Sequence, residues 1–126
     1  MRFTFSKQEI LHYDREFKRV FKNGKVLRSS GIIMFAYQRA SEDEQEIKNI
    51  RIGIAISRRS GIAVIRNRLK RRIREIFRLN KHLLKQNFDI VFLIKEKLPA
   101  MNFEELKNTV FLMWKKSDLF EIRPEA

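Results

Sequence analysis

Apolar residues recur at helical spacing in three stretches of this chain and at strand spacing in three others. Phe17, Val20 and Phe21 fall at i, i+3 and i+4, which predicts a short helix over Arg15–Asn23 with Asp14 as its N-cap. Gly24 then takes the position after the helix, where a positive φ is expected. An alternative start uses Ser6 and Glu9 as a capping box. Ile65, Leu69, Ile73, Ile76 and Phe77 predict a second helix over Ala63–Leu79. Asn80 ends it, and Lys81–Gln86 forms a further turn or short helix. Leu106, Val110, Leu112, Met113 and Trp114 predict a third helix over Phe103–Lys116, with Asn102 as cap.

Between the helices lie runs of strand length. Ile32–Arg39 is one. In Arg51–Ser57, Ile52, Ile54 and Ile56 alternate with Arg51, Gly53 and Ala55, which reads as a strand with one face in a core. Asp89–Ile94 reads as a strand buried on both faces. Ala40–Asn49 carries Glu42, Asp43, Glu44 and Glu46, the pattern of a solvated hairpin loop that points away from any polyanion. Pro99 marks a loop, residues 1–13 are extended or irregular, and 121–126 is a loose tail after a single domain spanning 1–120. The order is a helix, two strands with room for a third, a helix, a strand and a closing helix. That order is an α+β domain with helices over a sheet.

Charge changes the picture. The 126 residues include 28 Lys and Arg against 15 Asp and Glu, a net charge of +13, so a polyanionic partner is expected. Cysteine is absent, which removes disulfides, thiolate metal sites and cysteine nucleophiles. The longest apolar runs, Ile32–Ala36 and Ile90–Ile94, fall far short of the roughly 20 residues that span a bilayer. No signal peptide is expected from the first ten residues.

The cations concentrate on the second helix. Arg58–Arg78 holds nine Lys or Arg residues and a single acid, Glu75. At about 100° per residue, the apolar set covers one arc, and Asn67, Lys70, Arg71, Arg74 and Arg78 fall opposite it. Arg68 and Arg72 flank the arc on one side. Arg66 flanks it on the other, with its stem along the core edge and its head in water. Like charges at i, i+4 destabilise a helix by a few tenths of a kcal/mol per pair, roughly, so a merely solvated face has no use for this density. Arg outnumbers Lys here, and its planar fork suits phosphate. Gly61, just ahead of the helix, permits close backbone approach to a ligand, or serves simply as a turn.

The run Arg58-Arg59-Ser60-Gly61-Ile62-Ala63-Val64-Ile65-Arg66-Asn67-Arg68-Leu69-Lys70-Arg71 resembles the signature of the bacterial ribonuclease P protein subunit. The resemblance extends to Glu16–Gly24, to the strand Arg51–Ser57, to Phe88–Val91 and to Phe103–Lys116. Arg58 and Arg59 stand where Lys is commoner, and Ile62 stands where a polar residue is usual. The resemblance implies an α/β sandwich related to a ribosomal-protein domain, with about four strands, three helices and a left-handed β-α-β crossover. It also implies the small partner of a catalytic RNA that removes the 5′ leader of precursor tRNA in the cytoplasm. The RNA would carry the catalysis and hold the Mg²⁺. Arg58, Arg59, Arg66, Asn67, Arg68, Lys70, Arg71 and Arg74 would face the catalytic RNA. Phe17, Phe21 and Phe35 would line a cleft for the single-stranded leader, since rings stack on unpaired bases without strict sequence preference. Plain core packing is the competing account of Phe17 and Phe21.

No protein-borne catalytic constellation is legible. His12 and His82 are far apart and lack partner motifs, so both read as surface residues. Asp14 reads as a cap and Asp89 as a strand-entry residue. A ribosomal or RNA-assembly protein with no part in catalysis is the alternative reading of the charge. A free-standing nuclease lacks the carboxylates or histidines it needs.

Overall fold

A computed structural model describes residues 6–40 and 49–124. The acidic loop expected at 40–49 falls almost wholly outside the described residues. The chain forms α1 (Asp14–Asn23), β1 (Lys25–Ser29), β2 (Ile32–Gln38), β3 (Arg51–Ile56), α2 (Ala63–Asn80), β4 (Phe88–Ile94) and α3 (Phe103–Lys116). Single 3₁₀ turns at Lys7–Glu9, Arg58–Ser60 and Lys81–Leu83 punctuate it. The strand with no place of its own in the sequence pattern is β1, an edge strand that is mostly exposed.

The sheet order is β1-β2-β4-β3. β1 pairs antiparallel with β2 through a two-residue turn at Ser30-Gly31, and β2 pairs antiparallel with β4. β3 and β4 run parallel, so α2 is the crossover between them. Strand alternation then assigns the two faces. Ile32, Met34 and Ala36 of β2, Ile52 of β3 and Ile90, Phe92 and Ile94 of β4 join the main core with α2 and α3. Phe35, Tyr37 and Val91 face the other way, toward Leu11 and Val20, and α1 covers them.

α2 supplies Ile73, Ile76 and Phe77 to the main core, all fully buried. Each contributes roughly 1.5–3 kcal/mol by leaving water. That outweighs the self-repulsion of the cations on the other side, so a helix unfavourable in isolation is stable here. α3 starts at Asn102, whose side chain accepts the Glu105 N–H at 2.8 Å, and it buries Leu106, Val110, Met113 and Trp114. Backbone N–H groups of Glu121 and Ile122 donate to the Leu83 carbonyl at 2.8 and 3.1 Å, tying the end of the chain to the turn after α2.

Four local expectations need correction. Asp14 is the first residue of α1, and Tyr13 is the residue before it. The start is satisfied by Glu16, whose carboxylate accepts the His12 and Tyr13 N–H groups at 3.0 Å each. The Ser6/Glu9 pair does form, but on the separate turn Lys7–Glu9. Gly24 has φ −77°, ordinary extended backbone, because the chain passes straight into β1. Its lack of a side chain serves packing instead: a Cβ there would lie 2.6 Å from the Val20 carbonyl oxygen. Ile65 is not part of the core arc. It is 38% exposed and folds over Gly61, whose φ of 142° is the glycine-favouring region. What approaches Gly61 is therefore the chain's own side chain.

Candidate nucleic-acid interface

Two surfaces carry the residues singled out in the sequence, on opposite layers of the molecule. The first is the outer side of α2. Asn67, Arg68, Arg71 and Arg74 are exposed, and Arg66 and Lys70 are half-buried. Asn67, Lys70, Arg71, Arg74, Glu75 and Arg78 line one shallow groove along the helix. Arg58 and Arg59 lead in from the 3₁₀ turn, which is pinned to β4 by the Ser60 hydroxyl donating to the Ile94 carbonyl at 3.2 Å. The Ser57 hydroxyl adds a bond to the Lys95 carbonyl.

Neutralisation decides whether such a face is available. Among the described residues, Arg58, Arg66, Arg68, Lys70, Arg71 and Arg74 have no acidic partner. Arg78 pairs with Glu75 at 2.5 Å, and that hydrogen bond holds the Glu75 carboxyl below its ordinary range. Arg59 meets Glu96 at 3.4 Å with both side chains in water, a weak contact. Arg72 turns inward and donates to the Met101 carbonyl at 3.3 Å, so its role is to hold the loop before α3.

The second surface is the α1 side of the sheet. Phe17 and Phe21 ring centroids are 6.3 Å apart, and Phe21 meets Phe35 edge-on at 4.9 Å. The structure thus brings all three rings together. They differ in access: Phe17 and Phe35 are half-buried against Leu11, Val20 and Val91, while Phe21 is 37% exposed at the rim. Val26 lies opposite Phe35 across the β1–β2 pair and is half exposed, which extends the apolar rim. Arg28 follows two residues on, on the same face and exposed. Neither was legible in the sequence, because only the β1–β2 register reveals which side they take.

Beside the rings lies a buried ionic cluster. Asp89 is fully buried, and its carboxylate receives Arg51 in a two-pronged contact, Nε to Oδ1 and Nη2 to Oδ2, both at 2.8 Å. Arg39 reaches Oδ1 at 2.5 Å and Arg19 reaches Oδ2 at 3.1 Å. Burial works to raise the Asp89 pKa, but the hydrogen bonds and charges of Arg51 and Arg39 outweigh it and hold the group below its ordinary value. Asp89 does enter β4, yet its role exceeds strand entry. One signal was present: an acid inside an otherwise apolar strand needs a buried cation. Which of 28 cations answers it is a matter of register, and the pairings Tyr37↔Asp89 and Arg51↔Asp89 supply the answer.

His12 is exposed, with Nε2 2.9 Å from the Lys7 carbonyl, and His82 is half-buried in the turn after α2. No group of three or more His, Asp or Glu side chains converges as a metal-ligand set among the described residues. The carboxylate of Asp89 is already taken by guanidinium groups, so it does not fit a cation.

The mixed sheet, with one helix on one face, two on the other and a cation-studded crossover helix, defines a small basic α+β protein that offers a helix face to a polyanion. The family model described as Ribonuclease P matches residues 5–118. The chain is 30% identical over 119 residues to the ribonuclease P protein component of Bacillus pumilus, covering 94% of this chain and 96% of that one. It is 35% identical over 107 residues to that of Caldanaerobacter subterraneus subsp. tengcongensis, covering 85% and 87%. Among solved structures, the ribonuclease P protein of Thermotoga maritima matches with a TM-score of 0.72 at 31% identity, covering 86% of this chain and 96% of that one. The Staphylococcus aureus protein matches with a TM-score of 0.77 at 25% identity, covering 90% and 98%. The chain belongs to the bacterial ribonuclease P protein family, the protein component of the ribonucleoprotein endoribonuclease that processes the 5′ end of precursor tRNA.

Proposed function

We propose that the two surfaces divide the work of the holoenzyme. The outer side of α2, with Arg58, Arg59, Arg66, Asn67, Arg68, Lys70, Arg71 and Arg74, binds the catalytic RNA. The cleft of Phe17, Phe21 and Phe35 receives the single-stranded leader of precursor tRNA. The observation that carries this reading is the set of six cations on or leading into α2 without an acidic partner among the described residues, while the buried Asp89 is paired with arginines on the other side of the sheet. A solvated face balances its charges; a face reserved for phosphate leaves them unbalanced.

The protein's contribution is binding and placement. Mg²⁺, held by the catalytic RNA, would supply the Lewis-acid chemistry of phosphodiester hydrolysis. The chain's own residues anchor the RNA through guanidinium–phosphate contacts and hold the leader through ring stacking. Among the described residues no helix is long and apolar enough to cross a membrane.

The test is reconstitution with the cognate catalytic RNA at low Mg²⁺. Added protein should raise cleavage of leader-bearing precursor tRNA. Absence of any gain, or equal cleavage by the protein without RNA, would refute the reading.

A further inference from the structure

The ionic cluster and the aromatic cleft share one helix. Two rows of side chains cross the α1 side of the sheet. The first is Tyr37, Asp89 and Arg51; the second, two residues along each strand, is Phe35, Val91 and Gly53. α1 is fastened to both. On the first row, Arg51 bridges Asp89 to Glu16 of α1, its Nη1 2.7 Å from Oε2. Arg19 of α1 reaches Asp89 and lies over the Tyr37 ring at 5.1 Å. On the second row, Phe17 packs on the Gly53 backbone and Phe21 meets Phe35. Glu16 immediately precedes Phe17, and Arg19 lies midway between Phe17 and Phe21.

Apolar contacts alone permit a helix to slide or roll on a sheet. The two-pronged pair with Asp89 fixes the Arg51 guanidinium in a plane on the sheet, so its remaining Nη1 offers Glu16 of α1 a partner at one set position, and Arg19 of α1 adds a second tie to Asp89. The same Glu16 carboxylate also closes the first turn of α1 through the His12 and Tyr13 N–H groups, so the bridge holds the helix at its start. Arg39 fastens the other side of Asp89 to the Asn49 carbonyl at 2.5 Å, which anchors the cluster to the segment entering β3. A buried pair of this kind adds little net stability compared with apolar packing, and fixing one arrangement is its best-attested use.

We propose that Asp89 is a positioning residue for the leader: through Arg51 and Glu16, and through Arg19, it sets where α1 holds Phe17 and Phe21 over the sheet. The inference rests on the reading of the ring cleft as the leader site. Asp89 touches no substrate. It acts on the spacing of the rings, and a misplacement of about 1 Å is enough to weaken a stacking platform.

The experiment compares Glu16→Gln, Asp89→Asn and Phe17→Ala in holoenzyme rebuilt with the cognate catalytic RNA. Glu16→Gln cuts only the bridge to α1 and leaves Asp89 paired, so it reports even if Asp89→Asn fails to fold. The readout is the ratio of affinities for precursor with a long leader and for mature tRNA, alongside protein affinity for the catalytic RNA. We expect the ratio to fall about fivefold in Glu16→Gln and about tenfold in Asp89→Asn, with catalytic-RNA affinity within about twofold of the parent. A normal ratio in Glu16→Gln, while Phe17→Ala lowers it, would overturn the positioning role and leave the cleft standing. An equal loss for both tRNA forms and for the catalytic RNA would also overturn it, by marking the cluster as general support. A normal ratio in Phe17→Ala would remove the cleft reading itself, and this inference with it.

Discussion

Phe17 lies on the backbone of Gly53. A Cβ built at Gly53 would be 2.6 Å from Cε1 and 2.7 Å from Cζ of the ring, closer than real side chains approach. The glycine is therefore a seat for the ring. Gly53→Ala should push Phe17 outward and destabilise the fold by about 1–3 kcal/mol, the range for overpacking a close contact. Chemical denaturation measures the loss. Because the ring moves, the affinity ratio for leader-bearing over mature tRNA should fall as well. Unchanged stability would mean that the ring finds another place at no cost, and the seat would have no significance.

The cations of α2 should divide by partner. Arg68→Ala and Arg71→Ala remove exposed guanidinium groups with no acidic partner among the described residues. Each should weaken catalytic-RNA binding and flatten its logarithmic dependence on salt by about one unit or less per lost phosphate contact. Arg72→Ala removes an inward contact to the Met101 carbonyl, so it should lower stability and leave the salt slope alone. Titrations at several salt concentrations separate the two kinds of residue. Equal slopes across all three variants would erase the distinction.

The orientation of α2 was legible in the sequence because charge and periodicity act locally, whereas the inward turn of Arg72 was not. The α2 cations face outward because Ile73, Ile76 and Phe77 face inward, and both follow from spacing along one helix. α3 and its Asn102 cap were legible for the same reason. What depended on long-range register was not. β1 carries too few apolar residues to announce itself and exists because β2 pairs with it. Asp89 meets Arg19, Arg39 and Arg51 across separations of 70, 50 and 38 residues, which no local pattern encodes. Ile65 has the right spacing for the core, yet it lies in the first turn of α2, beside Gly61, and packs there instead.

The start of α2 offers a gain in stability. Ile62 occupies the N-cap with φ −68° and ψ 164°, the extended conformation a capping residue adopts, but it has no side-chain oxygen to offer. It is also 69% exposed. Ile62→Asn should let the side chain accept a backbone N–H of the first turn and raise stability by about 1 kcal/mol, typical of a supplied cap. A shift of the denaturation midpoint to higher denaturant with an unchanged slope is the expected result. A shift to lower denaturant would mean that the Ile62 side chain contributes packing that its exposure does not suggest.

Acid should dismantle the Asp89 cluster in a defined window. The folded-state pKa lies below its ordinary value near 3.8, because hydrogen bonds from Arg51 and Arg39 overcome the effect of burial. Glu9 is lowered likewise, burial being outweighed chiefly by its bond to Lys81. A carboxyl depressed on folding contributes stability that is present in full above its unfolded pKa and is lost as pH falls through the folded one. Stability should therefore be nearly level down to about pH 5 and decline below about pH 4. In Asp89→Asn the buried Arg39 and the partly buried Arg51 lose their anion at every pH, and breaking a buried pair costs about 3–5 kcal/mol at neutrality. As pH falls, the parent protonates toward the same uncharged state, so the gap between the two proteins should narrow. Denaturant midpoints at pH 7, 5, 4 and 3 measure that gap. A constant difference down to pH 3 would mean that the Asp89 charge contributes nothing to the acid limb, and the ionic account of how α1 is held would fail with it.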